Sequence, residues 1–306
     1  MEEGIREGLR ALAGERVLFA APLSEYTSMG VGGAADALVF PETVAEAARV
    51  VAFLKAEGVP FIPVGNLTNL IVRDGGYRGV VLCLKGLRRL HVAGEGEDGL
   101  ALTAEAGVPL SSLVAVGMEE GAAGLEFLAG IPGSVGGALR MNAGAFGREM
   151  KDIVASVSLL RFGGEVDHVP REELKFAYRR LFLAEGDVIV AGVFSLKRGE
   201  RSRIRSRVEE IMTMRRERHP AGWGSAGSIF KNPPGAAAGR LIEEAGLKGL
   251  EVGGARVSEK HGNFIVNRGG ARAADVLALM EIVRERVEAV TGIVLEAEVE
   301  VIGEEG

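Results

Sequence analysis

The chain has 306 residues, of which 47% are apolar and 25% charged, and a net charge of −6. That length accommodates two or three domains with sizeable cores. The acidic balance excludes non-specific nucleic-acid binding, which needs a strongly basic surface. The N-terminal MEEGIREGLRALAG alternates charge with apolar residues and lacks the apolar core of a signal peptide. No run approaches the roughly 18 apolar residues of a membrane span, so a cytoplasmic protein is expected.

In sequence order, residues 2–13 read as a short amphipathic helix, and EYTSMGVGGAADALVF (25–40) as a glycine turn entering a strand. Pro41 is expected to start a helix through Glu57, with Val44, Ala47, Val51 and Leu54 on one face and Gly58 ending it. FIPVG (61–65) is a short strand feeding GNLTNL (65–70). Glycine, two asparagines and a threonine after a strand suit either an anion-binding turn or a plain one. VVLCL (80–84) returns as a buried strand, closing a βαβ-like unit near residue 85. The single cysteine, Cys83, lies in that run; it forms no internal disulfide and reads as a small buried hydrophobe.

From Gly86 the pattern becomes strands in series. LRRLHVA and LALTAEA flank GEGEDG (94–99), which matches GxGxxG. Its Glu95, Glu97 and Asp98 would repel a pyrophosphate and no helix follows, so it is a hairpin turn, not a dinucleotide-binding one. A helix at 109–119 precedes LAGIPGSVGGALRMNAGAFG (128–147), a glycine-rich stretch without a single acid. Glycine lets a ligand reach backbone N–H groups, and a helix starting near Ser134 would add its positive end. The stretch is a cradle for phosphate or pyrophosphate, or else a bare flexible loop. VASVSLLRF (154–162), EVDHVP (165–170) and DVIVAGVFSLK (187–197) then suggest an antiparallel sheet, with REELKFAY read as a helix closed by Tyr178-Arg179-Arg180.

Residues 197–218 hold nine basic residues against four acidic ones and read as a solvated helix. HPAGWGSAGSIFKNP (219–233), a helix at 237–245, the strand FIVN (264–267), a helix at 273–290 and the strand VLEAEVEVIG (294–303) complete a third, α/β domain. In the long helix, Val276, Met280, Val283, Val287 and Val290 form one apolar stripe. The expected boundaries are 1–85, 86–197 and 198–306. Four scattered histidines with no paired ligand spacing give no reason to expect a metal.

Three groups stand out for chemistry. Ser228 follows Gly227 and precedes Lys231 and Asn232, a setting for proton donation or ligand hydrogen bonding, or simply a turn serine. There is no GxSxG elbow for a hydrolase. Arg179 ends the KFAYR segment, where a helix dipole alone would explain it. Glu298 alternates with apolar residues beside Glu296 and Glu300, as an ordinary solvent-facing strand would.

These motifs occur together in one order. YTSMGVGG, GNLTNL, LAGIPGSVGGALRMNAGAFG, KFAYR, SAGSIFKNP, LIEEAGLKG, GGARVSEKHGNFIVN and LEAEVEVIG make Tyr26 to Gly303 resemble the UDP-N-acetylenolpyruvoylglucosamine reductase (MurB) family. The resemblance implies an α+β fold: a two-part FAD-binding region of the vanillyl-alcohol-oxidase/PCMH type and a C-terminal α/β substrate-binding domain. It implies non-covalent FAD held by Gly65, Asn66, Leu67, Thr68, Asn69 and Leu70, and by Gly130, Ile131, Pro132, Gly133, Ser134, Gly136 and Gly137. Asn142 and Gly144 join that set. NADPH is the implied co-substrate, reducing FAD and leaving before the enolpyruvyl UDP-sugar binds.

By the same resemblance Ser228 donates the proton, while Arg179 and Glu298 flank the substrate carboxylate and developing enolate. Arg218, Asn232 and His261 fall at substrate-binding positions. A guanidinium aimed where negative charge grows would stabilise the transition state more than the ground state. A carboxylate there is useful if protonated or if it orients a donor, and a raised Glu298 pKa is expected. Phe146 replaces a frequent tyrosine, and the short stretch from Arg179 to Val188 lacks the tyrosine loop that covers substrate in some members, which marks the shorter type. Two other readings are a flavin oxidase of the same fold, and a non-catalytic nucleotide-sugar-binding regulator.

Overall fold

In the computed structural model, which describes residues 1–95, 99–161 and 163–306, helices and sheets are mixed in an α+β arrangement. The protein forms two units. One comprises Met1–Leu18, Ala37–Asn66 and Gly79–Met214; the other comprises Phe19–Asp36, Leu67–Arg78 and Arg215–Gly306.

In the first unit the helix and the two following strands expected in the βαβ-like unit are present. Its helix, Val44–Ala56, begins after Pro41, because Thr43 takes an extended conformation and its side chain accepts from the Glu46 N–H. Ala47, Val50, Val51 and Leu54 are buried, and Gly58 turns the backbone at φ +64°. Strand Phe61–Val64 runs parallel to Tyr77–Cys83, from Phe61 opposite Val80 to Val64 opposite Cys83. Cys83 is fully buried, and burial pushes its thiol pKa up.

The expected antiparallel sheet is also there. Its strands run in the order Val166–Pro170, Val154–Leu160, Val188–Arg198, Gly99–Glu105 and Leu90–Glu95. The strands flanking GEGEDG pair antiparallel; residues 96–98 of that turn, and Phe162 at the end of VASVSLLRF, lie outside the described residues. Helices Leu110–Glu120 and Val135–Arg140 contribute Leu110, Leu113, Val135 and Leu139 to the core beneath the sheet.

The helix expected at REELKFAY does not form. Arg171–Glu173 is one tight turn, and Phe176–Ala177 pairs antiparallel with Arg180–Leu181. Burial explains it: Leu174 and Phe176 are covered while Glu173 and Lys175 are exposed. That alternation has period two, not 3.6.

In the second unit, Gly224–Ser228, Phe264–Asn267, Ala255–Val257 and Glu251–Val252 form an antiparallel sheet in that order. Helix Ala273–Thr291 buries Val276, Leu279, Met280, Val283 and Val287 against it. Val290, expected in the stripe, is 64% exposed; it lies in the last turn before Gly292 reverses the backbone at φ +71°. The strand expected over 294–303 is regular only at Glu300–Ile302, parallel to Leu70–Val72. The preceding residues change partner: Lys231 N–H donates to Glu296 C=O (2.8 Å) and Glu298 N–H donates to Ile229 C=O (2.7 Å). The backbone bends at Val299, between the two sets of bonds, so 294–303 is not one continuous strand.

Candidate active site

The glycine-rich stretch is stitched to the end of strand Gly99–Glu105. Gly136 N–H donates to Ala106 C=O (2.8 Å), Val135 N–H to Val108 C=O (2.9 Å), and Leu110 N–H to Gly133 C=O (3.1 Å). Gly130 and Gly133 hold φ values of +73° and +142°, conformations that other residues resist. A Cβ on Gly136 would stand 2.8 Å from Ala106 Cβ, and one on Gly65 would stand 2.2 Å from Ser134 Oγ. Gly65 leaves strand Phe61–Val64 and Ser134 opens helix Val135–Arg140, so two loops far apart in sequence meet at this point.

Ser134 is the telling residue. It is 1% exposed, its hydroxyl does not cap its own helix, and its buried Oγ has no hydrogen-bond partner among the described residues. A buried hydroxyl left so costs roughly 1–3 kcal/mol. Glycine-opened backbone beside an unengaged hydroxyl, with no acid between 128 and 147, is the donor set a pyrophosphate needs, so the residues fit FAD. Asn66 belongs to this unit; Leu67, Thr68, Asn69 and Leu70 belong to the second. There Leu67 is buried with φ +49°, and Asn69 Nδ2 donates to Glu298 C=O (3.1 Å).

Asn142 and Gly144 form the seat of Arg179. Asn142 is completely buried at φ +40°. Its Nδ2 donates to Glu149 Oε2 and to Ala177 C=O, each at 3.0 Å, and its Oδ1 accepts from Lys151 N–H (3.0 Å). Every hydrogen of the amide is used within the protein. Arg179 occupies the tip of the two-residue hairpin loop at φ +57°. Its Nη2 donates to Gly144 C=O (3.1 Å) and its guanidinium stands 4.8 Å from the Tyr178 ring. Arg140 Nη1 holds the far strand through Leu181 C=O (2.7 Å). A left-handed arginine costs roughly 1–2 kcal/mol, and residues so strained cluster at functional sites.

The second unit carries the other candidates. Ser228 ends strand Gly224–Ser228 opposite Phe264 and is half-buried, as is Glu298. Their segments are joined by an isolated bridge between Phe230 and Ala297. Lys231 pairs with Glu296, and Asn232 Oδ1 accepts from Ala238 N–H (2.9 Å) at the start of helix Ala238–Glu244. Arg218, exposed, is the last residue of helix Arg201–Arg218.

His261 is half-buried and meets His219, which sequence spacing did not single out. The two rings stand 5.7 Å apart, edge to face, and each is 4.9 Å from Phe264. Burial, reinforced by Arg215, by the neighbouring His261 ring, and by Lys260 and Arg218, lowers His219 to a pKa of about 4. Burial, then Lys248, lowers His261 as well. His261 Nδ1 accepts from Asn263 N–H (3.2 Å), which fixes its proton on Nε2.

A family model described as an FAD binding domain matches residues 35–169. The model for the C-terminal domain of UDP-N-acetylenolpyruvoylglucosamine reductase matches residues 219–302. The reductase of that name from Syntrophus aciditrophicus (strain SB) is 54% identical over 302 residues, covering 99% of this protein and 97% of the relative. The one from Geotalea uraniireducens (strain Rf4) is 44% identical, covering 96% of each. The crystal structure of the Thermus caldophilus reductase is similar with a TM-score of 0.78 at 38% identity, covering 93% of this protein and 97% of that one.

Proposed function

The chain belongs to the UDP-N-acetylenolpyruvoylglucosamine reductase family, and we propose that it reduces the enolpyruvyl UDP-N-acetylglucosamine to UDP-N-acetylmuramate, with NADPH as reductant and FAD as cofactor. This places it in peptidoglycan precursor synthesis, acting in the cytoplasm. No helix among the described residues is long and apolar enough to cross a membrane.

FAD, when bound, would supply the redox chemistry that links the NADPH and enolpyruvyl half-reactions. Gly65, Ser134 and the 130–137 backbone hold its pyrophosphate; Asn66–Leu70 complete that loop. Residues 1–85 and 86–197 serve the cofactor, in the vanillyl-alcohol-oxidase manner, and 198–306 serve the UDP-sugar. Arg179 faces the carboxylate on which negative charge grows, so its contact strengthens toward the transition state. Ser228 gives the proton to the carbon next to that carboxylate, and Glu298 assists in its protonated form. Arg218, Asn232 and His261 bind the diphosphate and nucleotide; His261 contributes there as a neutral Nε2–H donor. Asn142 and Gly144 belong to the cofactor-binding set, in a loop that also supports the Arg179 hairpin.

One observation carries this reading: residues 229–231 and 296–298 pair so that Ser228 and Glu298 leave neighbouring backbone segments of one unit. The test is an anaerobic absorbance trace. NADPH should bleach the flavin band, and the enolpyruvyl UDP-sugar should restore it. Ser228→Ala should slow the restoration about a hundredfold or more while leaving the bleaching nearly normal. Recovery only on admitting air would assign a flavin oxidase. A colourless protein that takes up no FAD would leave only a nucleotide-sugar-binding role.

A further inference from the structure

We propose that Asn263 is a positioning residue that sets Ser228 and Glu298 together by standing in for a missing neighbour strand; the proposal rests on the roles of those two residues given above. Residues 229–231 form the middle of a three-part arrangement. On one side they pair with 296–298. On the other, the regular pairing of Gly224–Ser228 with Phe264–Asn267 passes its last matched pair at Ser228 and Phe264, and Asn263 takes over.

The backbone carbonyl of Asn263 accepts from Ile229 N–H (3.0 Å). Its side chain then does for Phe230 what a strand backbone would do. Phe230 N–H donates to Asn263 Oδ1 (2.9 Å) and Asn263 Nδ2 donates to Phe230 C=O (2.7 Å). Asn263 is 4% exposed and Phe230 3%, so water does not compete for these groups. One amide thereby satisfies both polar groups of a buried backbone unit that would otherwise be unpaired.

The consequence lies on either flank of Phe230. Two residues before it is Ser228, and opposite it is Ala297, next to Glu298. Glu298 N–H is itself anchored on Ile229 C=O. A shift of the 229–231 backbone therefore moves the hydroxyl and the carboxyl at once, in a reaction where displacement by an ångström is worth about a hundredfold. His261 lies one step further out, through its Nδ1 on Asn263 N–H, and this links a substrate-binding position to the same clasp.

Asn263→Ala and Asn263→Asp, compared with wild type and Ser228→Ala as flavin-loaded enzymes, separate the possibilities. Each half-reaction is followed by anaerobic stopped flow, with hydrogen exchange of the 229–231 amides measured in parallel. Asn263→Ala should slow reoxidation by the enolpyruvyl UDP-sugar about ten- to a hundredfold, leave reduction by NADPH within about twofold, and speed exchange at 229–231. Asn263→Asp keeps the acceptor for Phe230 N–H and regains a donor only when protonated. Its reoxidation rate should rise toward wild type as pH falls, which a general loss of stability would not produce.

Equal slowing of both half-reactions, or wild-type reoxidation despite faster exchange, overturns the proposal. If Ser228→Ala reoxidises at the wild-type rate, the reading of Ser228 fails and the proposal with it, whatever Asn263 does. If Asn263→Ala does not fold, the pH dependence of Asn263→Asp decides alone: a flat profile overturns the proposal.

Discussion

The cradle at Gly65 and 130–137 and the Ser228–Lys231 segment are the two regions proposed to meet ligands, and they are built by opposite means. In the cradle the backbone is laid open by missing side chains: a Cβ at Gly65 or Gly136 has nowhere to go. In the second segment the backbone is gripped by a side chain, Asn263 on Phe230, and Glu298 on the facing segment is held the same way by Asn69. The first should therefore fail when an atom is added, and the second when one is removed.

The largest effect should come from adding atoms. Gly136→Val places a branched side group against Ala106 Cβ at 2.8 Å and Ala106 C=O at 3.2 Å, where overpacking costs about 1–3 kcal/mol and pushes the helix start away from its strand. The protein should purify without its flavin absorbance and show no turnover. A normally yellow Gly136→Val enzyme would mean that the cradle is not where the cofactor binds. Next is Arg179→Lys, which keeps the charge but loses the planar fork and the Gly144 contact. Turnover should fall about 10²–10³-fold, with flavin content and NADPH reduction intact. Loss of flavin instead would place Arg179 on the cofactor, and the two halves of the comparison would merge.

The same contrast explains what the sequence disclosed. The cradle was legible because its chemistry is composition: glycines, one serine and no acid over a short stretch announce an open backbone wherever it folds. The long helix, the antiparallel sheet and the helix and strands of the βαβ-like unit were legible from periodicity. The clasp was not, because Asn263 and Phe230 are 33 residues apart and nothing local marks an asparagine as half of a strand pair. The 294–303 stretch misled for a related reason. Its alternation is genuine, but the backbone switches partner from 229–231 to Leu70–Val72 within it. At KFAYRR, the aromatic residues masked a period-two pattern that burial makes plain, and the left-handed Arg179 has no sequence signature. His219 and His261 likewise meet only through the fold.

A smaller effect is expected from that histidine pair. His219 falls from 6.5 to about 4 on folding, so between those values the unfolded protein binds more protons than the folded one. Stability from this group is therefore lost as pH falls from about 6.5 to about 4, and is unaffected above. The melting temperature of His219→Phe, with a ring of similar shape, should be flatter than wild type over that window. Parallel curves for the two proteins would show that His219 is not buried neutral.

The smallest and sharpest test is Ser134→Ala, because its two consequences have opposite signs. The Ser134 hydroxyl has no partner among the described residues, so removing it relieves a desolvation cost of about 1–3 kcal/mol and leaves no cavity larger than one oxygen. The flavin-free protein should melt at the same or a higher temperature. If the hydroxyl serves the pyrophosphate, FAD affinity should nevertheless fall, by about tenfold or less for one hydrogen bond of about 0.5–1.5 kcal/mol. A residue kept for folding would lower both quantities, and a residue kept for nothing would lower neither. Only a group held ready for a ligand makes the empty protein firmer and the complex weaker when it is removed.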